Sequence, residues 1–257
     1  MPRANRFFLP GYIYHITHRC HDRTFLFKSK KVREVWVHWL REAKVRYGLV
    51  VLNYMVTSNH IHLLVQDTGD DVIAKSIHLI AGATAQNFNN VQERKGAFWE
   101  DRYHATAFQS NSHFLNCMAY IDLNMCRTGK IKHPDEWLTC AYREVRKPKE
   151  RYQIIDHKNI VKLSGEKDLE GVCEIIDNLI HKALHAKSKI DQPDWTSSIA
   201  IGDDGFVKTF QKKLKLHGEK RVIEVTGNNV ALKEPKATYG LLEEDNRMFY
   251  DSKVDFS

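Results

Sequence analysis

The strongest constraint on the fold of this chain comes from two apolar segments, 49–56 and 60–66, which are separated by only three residues. Each has the length and apolar content of a β-strand, and Thr57-Ser58-Asn59 between them has the composition of a turn. So short a connection joins antiparallel strands, because parallel strands need a much longer crossover. The sequence therefore predicts an antiparallel hairpin, around which any larger fold must be built.

The second strand of this hairpin begins with a histidine pair, His60-Ile61-His62. Side chains two positions apart in a strand point to the same face, about 6.5 to 7 Å apart along the backbone, so two imidazoles can converge on one metal ion. A bare His-x-His pattern is more often a hydrogen-bonded pair or the exposed face of a hairpin, because short motifs match by chance. The pair alone therefore indicates a metal site without establishing one.

A helical segment from about Ser112 to Gly129 carries a second group of polar residues. Its apolar residues recur at helical spacing and predict a buried stripe: Phe114, Met118, Ile121 and Met125. Tyr120, Asn124 and Arg127 lie on a different face, at spacings of four and three residues. A phenol, an amide and a guanidinium are expected to project together from this face, although a tyrosine at the edge of a core with a hydrated hydroxyl is equally common.

The remaining hydrophobic patterns extend the hairpin into an α+β sheet. Alternation predicts strands at 11–20 and 103–109, and a spacing of three and four residues predicts helices at 32–47 and 69–88. The resulting order, β-α-β-β-α-β-α, suits a split β-α-β plan, the ferredoxin- or RRM-like antiparallel sheet with helices on one face. A helical C-terminal extension is expected to follow this unit.

The basic residues are concentrated in the first part of the chain. Residues 1–150 contain 22 Lys and Arg against 14 Asp and Glu, a net charge of +8, whereas residues 151–257 contain 17 against 18, a net charge of −1. A basic surface gains affinity for nucleic acid by releasing counterions, without sequence preference. A charge this modest is also typical of a well-solvated surface, so it favours a nucleic-acid partner without excluding others.

Neither the cysteines nor the N-terminal residues indicate an exported protein. The five cysteines form no C-x-x-C pair and leave one over from any complete pairing, which argues against a disulfide scaffold. No basic start leads into an apolar signal segment, and no stretch approaches about 18 consecutive apolar residues. The sequence therefore predicts a soluble protein in a reducing intracellular compartment, with no membrane partner.

Three separated motifs together resemble one known family. They are Asn59-His60-Ile61-His62, Gly96-Ala97-Phe98-Trp99-Glu100-Asp101-Arg102-Tyr103-His104 and Tyr120-Ile121-Asp122-Leu123-Asn124-Met125-Cys126-Arg127-Thr128-Gly129. Their order and spacing resemble the single-tyrosine HUH transposases with an IS200-like domain, in particular the transposases associated with repetitive extragenic palindromes (REP), over about residues 7–146. The chain departs from the usual family pattern at Met125-Cys126 and at Thr128.

The resemblance implies a role for each candidate residue. Tyr120 corresponds to the catalytic nucleophile. The implied ligands of a divalent metal ion, Mg²⁺ or Mn²⁺, are His60, His62 and Asn124. The candidates for contact with DNA are Arg102, His104 and Arg127. The implied partner is single-stranded or hairpin DNA, the implied assembly is a monomer or a homodimer, and the implied location is the cytoplasm, in association with the nucleoid.

A domain boundary is expected near residue 147. The segment Arg146-Lys147-Pro148-Lys149-Glu150-Arg151 is charged, contains proline and has no hydrophobic period. Residues 1–147 are accordingly predicted to form the HUH transposase catalytic domain, and residues 148–257 a mostly helical accessory region with a polar tail. The sequence beyond the boundary shows no catalytic pattern.

The expected reaction follows from what these side chains can do. A phenol ionises only near pH 10 or so, at about its unperturbed pKa, so Tyr120 needs a base or a nearby metal ion to act as a nucleophile. Attack on a DNA phosphate leaves a 5′-phosphotyrosine and a free 3′-hydroxyl, which permits strand transfer without ATP. Two alternatives stay open: a non-catalytic single-stranded nucleic-acid-binding module, in which Tyr120 only packs, and a metal-dependent phosphodiesterase that uses water.

Overall fold

The computed structural model describes residues 8–185, 194–214, 221–226 and 229–234. The first part of the chain contains β1 (Ile13–Arg19), α1 (Lys30–Tyr47), β2 (Val50–Val56), β3 (His60–Gln66), α2 (Val72–Val91), β4 (His104–Phe108), α3 (Ser112–Asp122), α4 (Asn124–Arg127) and α5 (Tyr142–Arg146). The described residues that follow contain α6 (His157–Ser164), α7 (Leu169–His185), α8 (Asp194–Ser197), β5 (Ala200–Gly202), α9 (Asp204–Lys213), β6 (Val222–Thr226) and β7 (Asn229–Lys233).

The first four strands form an antiparallel sheet in the order β2-β3-β1-β4. β1 lies inside the sheet because it pairs with β3 along one edge and with β4 along the other. With α1 between β1 and β2, and α2 between β3 and β4, this is the split β-α-β arrangement. The predicted α+β class, the hairpin and the order of elements in this half are confirmed.

A left-handed glycine ends α1 and starts the reversal into β2. Gly48 has φ +71°, and its N–H donates to the carbonyl of Lys44 at 2.9 Å. A residue with a β-carbon is strained in this conformation, which explains the glycine. Because β2 begins at Val50, α1 folds back directly onto the sheet that β2 enters.

Helices cover both faces of the sheet. Successive residues of β2 mark the two sides, because side chains alternate along a strand. The Tyr54 ring lies 6.3 Å from the ring of Trp36 in α1, whereas the Asn53 amide donates to the Met118 carbonyl and to Asp122 in α3. α2 packs against α1 on the first face. The predicted placement of helices on one face therefore holds for α1 and α2, and α3 adds a layer on the opposite face.

The apolar stripe of α3 explains this second layer. The four residues predicted to form the stripe are almost fully buried: Phe114, Met118, Ile121 and Met125. α3 packs against β2 and against α7. Leu123, between α3 and α4, keeps helical backbone angles of φ −76° and ψ −5°, so the polar face of Tyr120 continues into α4.

The region after residue 147 continues the same sheet. β5 pairs with β4 in parallel, and β7 and β6 follow in antiparallel order, which gives seven strands within the described residues. The extension, which was expected to be helical, therefore contains strands as well. The polar tail, predicted at 218–257, includes β6 and β7, and residues 235–257 lie outside the described residues. None of the helices in the described segments has the length and apolar character needed to cross a membrane.

Candidate active site

A cleft of about 380 Å³ lies where the end of β1 meets the starts of β3 and β4, beside α3 and α8. The residues that line it are Thr17, His18, Arg19, His60, His62, Glu100, Asp101, Arg102, His104, Tyr120, Asn124 and Thr196. Six of the seven residues selected from the sequence are among them, and the seventh, Arg127, stacks on the Tyr120 ring. The structure therefore brings together all the residues singled out by the three motifs.

His60 and His62 are the first and third residues of β3. Antiparallel pairing places them opposite Arg19 and Thr17 of β1. Strand alternation sends both imidazoles to the same face, and their Nε2 atoms lie 3.0 Å apart. The two rings thus converge on one point in the cleft.

The turn before β3 holds the His60 ring. Its Nδ1 lies 3.0 Å from the Thr57 hydroxyl and 2.8 Å from the side-chain oxygen of Asn59. The Thr57 hydroxyl donates its own proton to the His60 carbonyl, so it accepts from the ring, and Nδ1 is the donor. The Nε2 of a neutral His60 therefore presents a lone pair to the cleft.

The His62 ring is held by a second histidine from β1. His62 Nδ1 and His15 Nε2 lie 2.9 Å apart, and His15 Nδ1 lies 3.0 Å from the carbonyl oxygen of Trp195 in α8. Both rings are buried and nearly parallel, with an interplanar angle of 9°. His62 therefore uses Nδ1 for a protein contact and turns Nε2 to the cleft.

Loss of solvent keeps these imidazoles neutral. Desolvation lowers the pKa of His15 to about 4. Desolvation, followed by the charges of Arg19 and Arg127, lowers the pKa of His60 to about 4. Burial and the neighbouring His60 hold the pKa of His62 well below its usual value. Neutral rings matter here because an imidazole binds a metal ion only through a nitrogen that carries no proton.

Asn124 completes a donor set that fits a divalent cation. Its Nδ2 lies 2.7 Å from His62 Nε2, and a half-turn of the amide brings the oxygen to that position, since the two atoms have nearly the same shape. Two unprotonated nitrogens 3.0 Å apart repel each other unless a positive charge lies near both. Among the described residues no three His, Cys, Asp or Glu side chains form a metal-binding group, so a cation here depends on the amide.

Tyr120 packs at the edge of the core beside this donor set. Its ring lies 6.0 Å from the His62 ring and 4.9 Å from the indole of Trp195, and the residue is 9% exposed. The guanidinium of Arg127 lies 3.9 Å from the centre of the Tyr120 ring. The helical spacing has therefore brought the phenol and the guanidinium together, and the cation is attracted to the face of the ring.

Arg102 and His104 line the cleft on the side of β4. His104, the first residue of β4, donates from Nε2 to the carbonyl of Ser198 at 2.9 Å. Arg102 lies in the loop before the strand, and its side chain is exposed. Arg102 thus adds a positive charge to the cleft, whereas His104 is tied to the segment after α8.

His15 and the α8 segment are the parts of the site that the sequence did not reveal. His15 lies in the alternating β1 segment, but its neighbour in space is known only once the sheet order is known. Trp195 and Thr196 follow the last motif at a long distance along the chain. No sequence pattern could connect Trp195 to His15, because the connection is a single backbone carbonyl.

Comparison with protein families gives a match for the part of the chain that supplies all but one of the residues lining this cleft. Residues 9–124 match the family model described as "Transposase IS200 like", and the match includes His60, His62, Tyr120 and Asn124. Residues 9–124 therefore resemble the IS200-like transposases. The resemblance stated from the motifs is confirmed over this segment, and a DNA-processing enzyme of the transposase class is the activity that the match supports.

Two solved structures resemble this chain at low sequence identity. A REP-associated tyrosine transposase bound to a REP hairpin is 18% identical with a TM-score of 0.48, over 61% of this chain and 94% of that one. A candidate transposase from Deinococcus radiodurans R1 is 19% identical with a TM-score of 0.31, over 39% of this chain and 82% of that one. No curated protein matches the chain. Because both TM-scores are low, the assignment comes from the family match at residues 9–124.

Proposed function

We propose that this transposase cuts and rejoins one strand of DNA by means of Tyr120, and that its substrate is single-stranded or hairpin DNA. The observation that carries the proposal is the convergence of His60 Nε2, His62 Nε2 and the Asn124 amide beside the Tyr120 ring. Strand transfer requires a nucleophile at such a site, because the cut end must stay bound to the protein until it is rejoined.

His60, His62 and Asn124 are the residues that would hold a divalent ion. Two imidazoles and an amide oxygen leave further positions open for phosphate oxygens and water, as a catalytic ion requires. When bound, the ion polarises the scissile phosphate and stabilises the negative charge that develops on it. Imidazoles also suit Zn²⁺, but the amide oxygen and the family resemblance favour Mg²⁺ or Mn²⁺.

Tyr120 forms the covalent intermediate. Its phenol loses a proton to water, the phenol oxygen bonds to phosphorus, and the bond from phosphorus to the 3′-oxygen breaks. The leaving 3′-oxygen takes up a proton and becomes a hydroxyl, while the 5′ end stays linked to Tyr120 as a phosphotyrosine. Arg127 stabilises the phenolate through the face of the ring. Attack by a new 3′-hydroxyl on the phosphotyrosine reverses these steps and completes strand transfer.

The charge of the cleft suits a DNA backbone. Arg19 and Arg102 line it, Arg127 lies over the Tyr120 ring, and residues 1–150 together carry a net charge of +8. Arginine side chains bind phosphate oxygens with two parallel hydrogen bonds. These residues are therefore proposed to position the phosphate group next to Tyr120.

Covalent trapping tests the proposal. The full-length protein is incubated with labelled hairpin and single-stranded DNA libraries in Mn²⁺, denatured and separated on gels. We expect a protein–DNA adduct that requires the metal ion and contains the 5′ end of the cut strand. Mass spectrometry should locate the nucleotide on Tyr120.

Two tyrosine variants provide the control. Tyr120→Phe removes one oxygen and little volume, so DNA affinity should persist while the adduct disappears. Tyr152→Phe makes the same change at a tyrosine that is 72% exposed and outside the cleft lining, and it should form the adduct normally. Undiminished cleavage by Tyr120→Phe would instead identify a phosphodiesterase that uses water, and binding by the wild type without any cleavage would identify a binding module.

A further inference from the structure

We propose that His15 is a positioning residue for His62, and that the backbone carbonyl of Trp195 sets the direction of the hydrogen bonds between them. The proposal rests on the metal site proposed above, because it concerns how one ligand of that site is prepared. His15 does not line the cleft and is fully buried. It therefore acts through His62 and not on the substrate.

The direction of the hydrogen bonds follows from the Trp195 carbonyl. A carbonyl oxygen can only accept, so His15 carries its proton on Nδ1 and donates it there. In a neutral imidazole the other nitrogen has no proton, and His15 Nε2 accepts from Nδ1 of His62. This leaves His62 Nε2 unprotonated, and Nε2 is the atom that faces His60 and Asn124.

Without His15, Nδ1 of His62 loses its acceptor, and the opposite tautomer of His62 becomes available. The nearest ring atom in the cleft is the unprotonated Nε2 of His60 at 3.0 Å, which can accept a hydrogen bond. A proton on Nε2 of His62 would supply that bond and would block the binding of a cation. The contact with His15 thus opposes this tautomer, and it keeps His62 ready to bind a metal ion.

The same contact fixes the orientation of the His62 ring. A hydrogen bond between ring nitrogens is best when the rings are nearly coplanar, and the two rings differ by only 9°. His15 is itself held by edge contacts with Phe108 and Tyr120, each at 6.1 Å between ring centres. His62 therefore meets a hydrogen-bond acceptor whose position is already set by packing.

The Trp195 carbonyl, which accepts the last hydrogen bond in this series, comes from the region after residue 147. The carbonyl of Ser198, just after α8, accepts from His104 Nε2 at 2.9 Å and from the Thr106 hydroxyl at 2.6 Å. These two bonds fix α8 and its carbonyls against β4. A segment far from the motifs along the chain thus helps to prepare a ligand that the motifs contain.

Two substitutions at His15 separate hydrogen bonding from packing. In His15→Gln, the amide oxygen can accept from His62 while the amide nitrogen donates to Trp195, so both bonds can be replaced. In His15→Met, a side chain of similar size offers neither bond. Nitrogen-15 NMR of the metal-free, full-length protein reports which His62 nitrogen is protonated. We expect His15→Met to move the proton to Nε2 and to weaken Mn²⁺ binding about 10- to 100-fold, and His15→Gln to restore most of both properties.

Thr84→Val is the matched control. Thr84 is fully buried in α2, its hydroxyl makes no hydrogen bond among the described residues, and it does not line the cleft. This variant should keep the wild-type tautomer and Mn²⁺ affinity. Thermal unfolding of each variant establishes that it is folded.

Specific outcomes would overturn the proposal. Wild-type protein with the His62 proton on Nε2 refutes it, whatever the variants do. His15→Met with unchanged tautomer and Mn²⁺ affinity also refutes it, and equal losses in His15→Met and His15→Gln would assign His15 to packing alone. If the wild type binds no Mn²⁺, the proposed metal site fails, and the His62 tautomer in the two variants still decides the role of His15.

Discussion

At the residue scale, we expect the histidines of β3 to bind the metal ion and the arginines of the cleft to bind DNA, so that substitutions affect the two properties separately. His60→Ala or His62→Ala removes one of only two ring nitrogens from the donor set, so Mn²⁺ binding and strand cleavage should fall to background. DNA affinity, measured by fluorescence anisotropy without metal, should change by about twofold or less, because the basic residues are untouched.

A histidine outside the cleft provides the control for these variants. His38→Ala removes an exposed imidazole on α1 and should leave cleavage and Mn²⁺ binding intact. Cleavage that persists in both His60→Ala and His62→Ala would contradict the metal site. A parallel loss of DNA affinity would mean that the histidines bind DNA directly.

The same imidazoles predict how stability depends on pH in the metal-free protein. The pKa values of His15 and His60 are lowered to about 4, so the unfolded chain binds more protons than the folded protein between about pH 6.5 and 4. Their stabilising effect is complete above about pH 6.5 and is lost as the pH falls to 4, by about 3 kcal/mol for each histidine.

The carboxyl group of Asp122 offsets part of this loss of stability at low pH. Burial raises the pKa of Asp122 to about 6, so Asp122 favours the folded state at low pH by about 3 kcal/mol. The two histidines together exceed this effect, and His62 acts in the same direction as they do. Urea unfolding in EDTA should therefore give a free energy of unfolding that is lower near pH 4 than near pH 7 by about 3 kcal/mol or more. A free energy that is constant or larger at low pH would contradict neutral, buried imidazoles.

The sequence alone indicated those residues of this site that recur at the spacing of a strand or of a helix. His60 and His62 share a strand face, and Tyr120, Asn124 and Arg127 share a helix face, so short-range geometry places each group. His15 belongs to the site only because β1 lies beside β3 in the folded sheet. A residue whose role depends on strand order has no local signal in a single sequence.

At the element scale, one buried asparagine ties the helix of Tyr120 to the sheet. The Asn53 amide on β2 donates to the Met118 carbonyl at 3.3 Å and to Asp122 Oδ1 at 3.1 Å. Asn53→Ala leaves these two buried acceptors without that donor, which costs about 1 to 3 kcal/mol. We expect this loss in the urea-derived free energy of unfolding at pH 7.

The exposed end of β3 offers a comparison for this variant. The Gln66 amide donates to the Gly11 carbonyl in an exposed bond, so Gln66→Ala should change stability by about 0.5 kcal/mol or less. If Asn53→Ala were as mild, the attachment of α3 would rest on apolar packing alone. Activity should fall with Asn53→Ala as well, because Tyr120 is positioned by α3.

Length and periodicity decided which elements could be predicted. The strands and helices up to residue 127 were assigned correctly, and most of them are seven residues or longer with clear hydrophobic periods. β5 has only three residues, which is too short for alternation to be distinguished from a loop, and β6 and β7 have five each in a polar part of the chain. Their place in the sheet is set by pairing with β4 and with one another.

At the scale of the whole molecule, residues after position 147 complete both the core and the site. α7 packs against α3 and contributes Val172, Ile176 and Ile180, which are buried. Ile155 forms a bridge with Val51 of β2. The division at residue 147 stays a prediction, and these contacts argue that the two parts depend on each other.

We therefore expect residues 1–147 alone to be neither stably folded nor active. Removing the three buried side chains of α7 costs about 1.5 to 3 kcal/mol for each, which is a large part of the 5 to 15 kcal/mol or so that stabilises a typical domain. Truncation also removes the carbonyl of Trp195, to which His15 is hydrogen-bonded. Urea unfolding followed by circular dichroism measures the loss of stability, and covalent trapping measures the loss of activity.

A chain ending at residue 234 is the control for this truncation, because it retains every described contact and should unfold cooperatively like the full-length protein. Residues 1–147 that unfold cooperatively and form the Tyr120 adduct would instead establish an independent catalytic domain and would limit the later region to an accessory role.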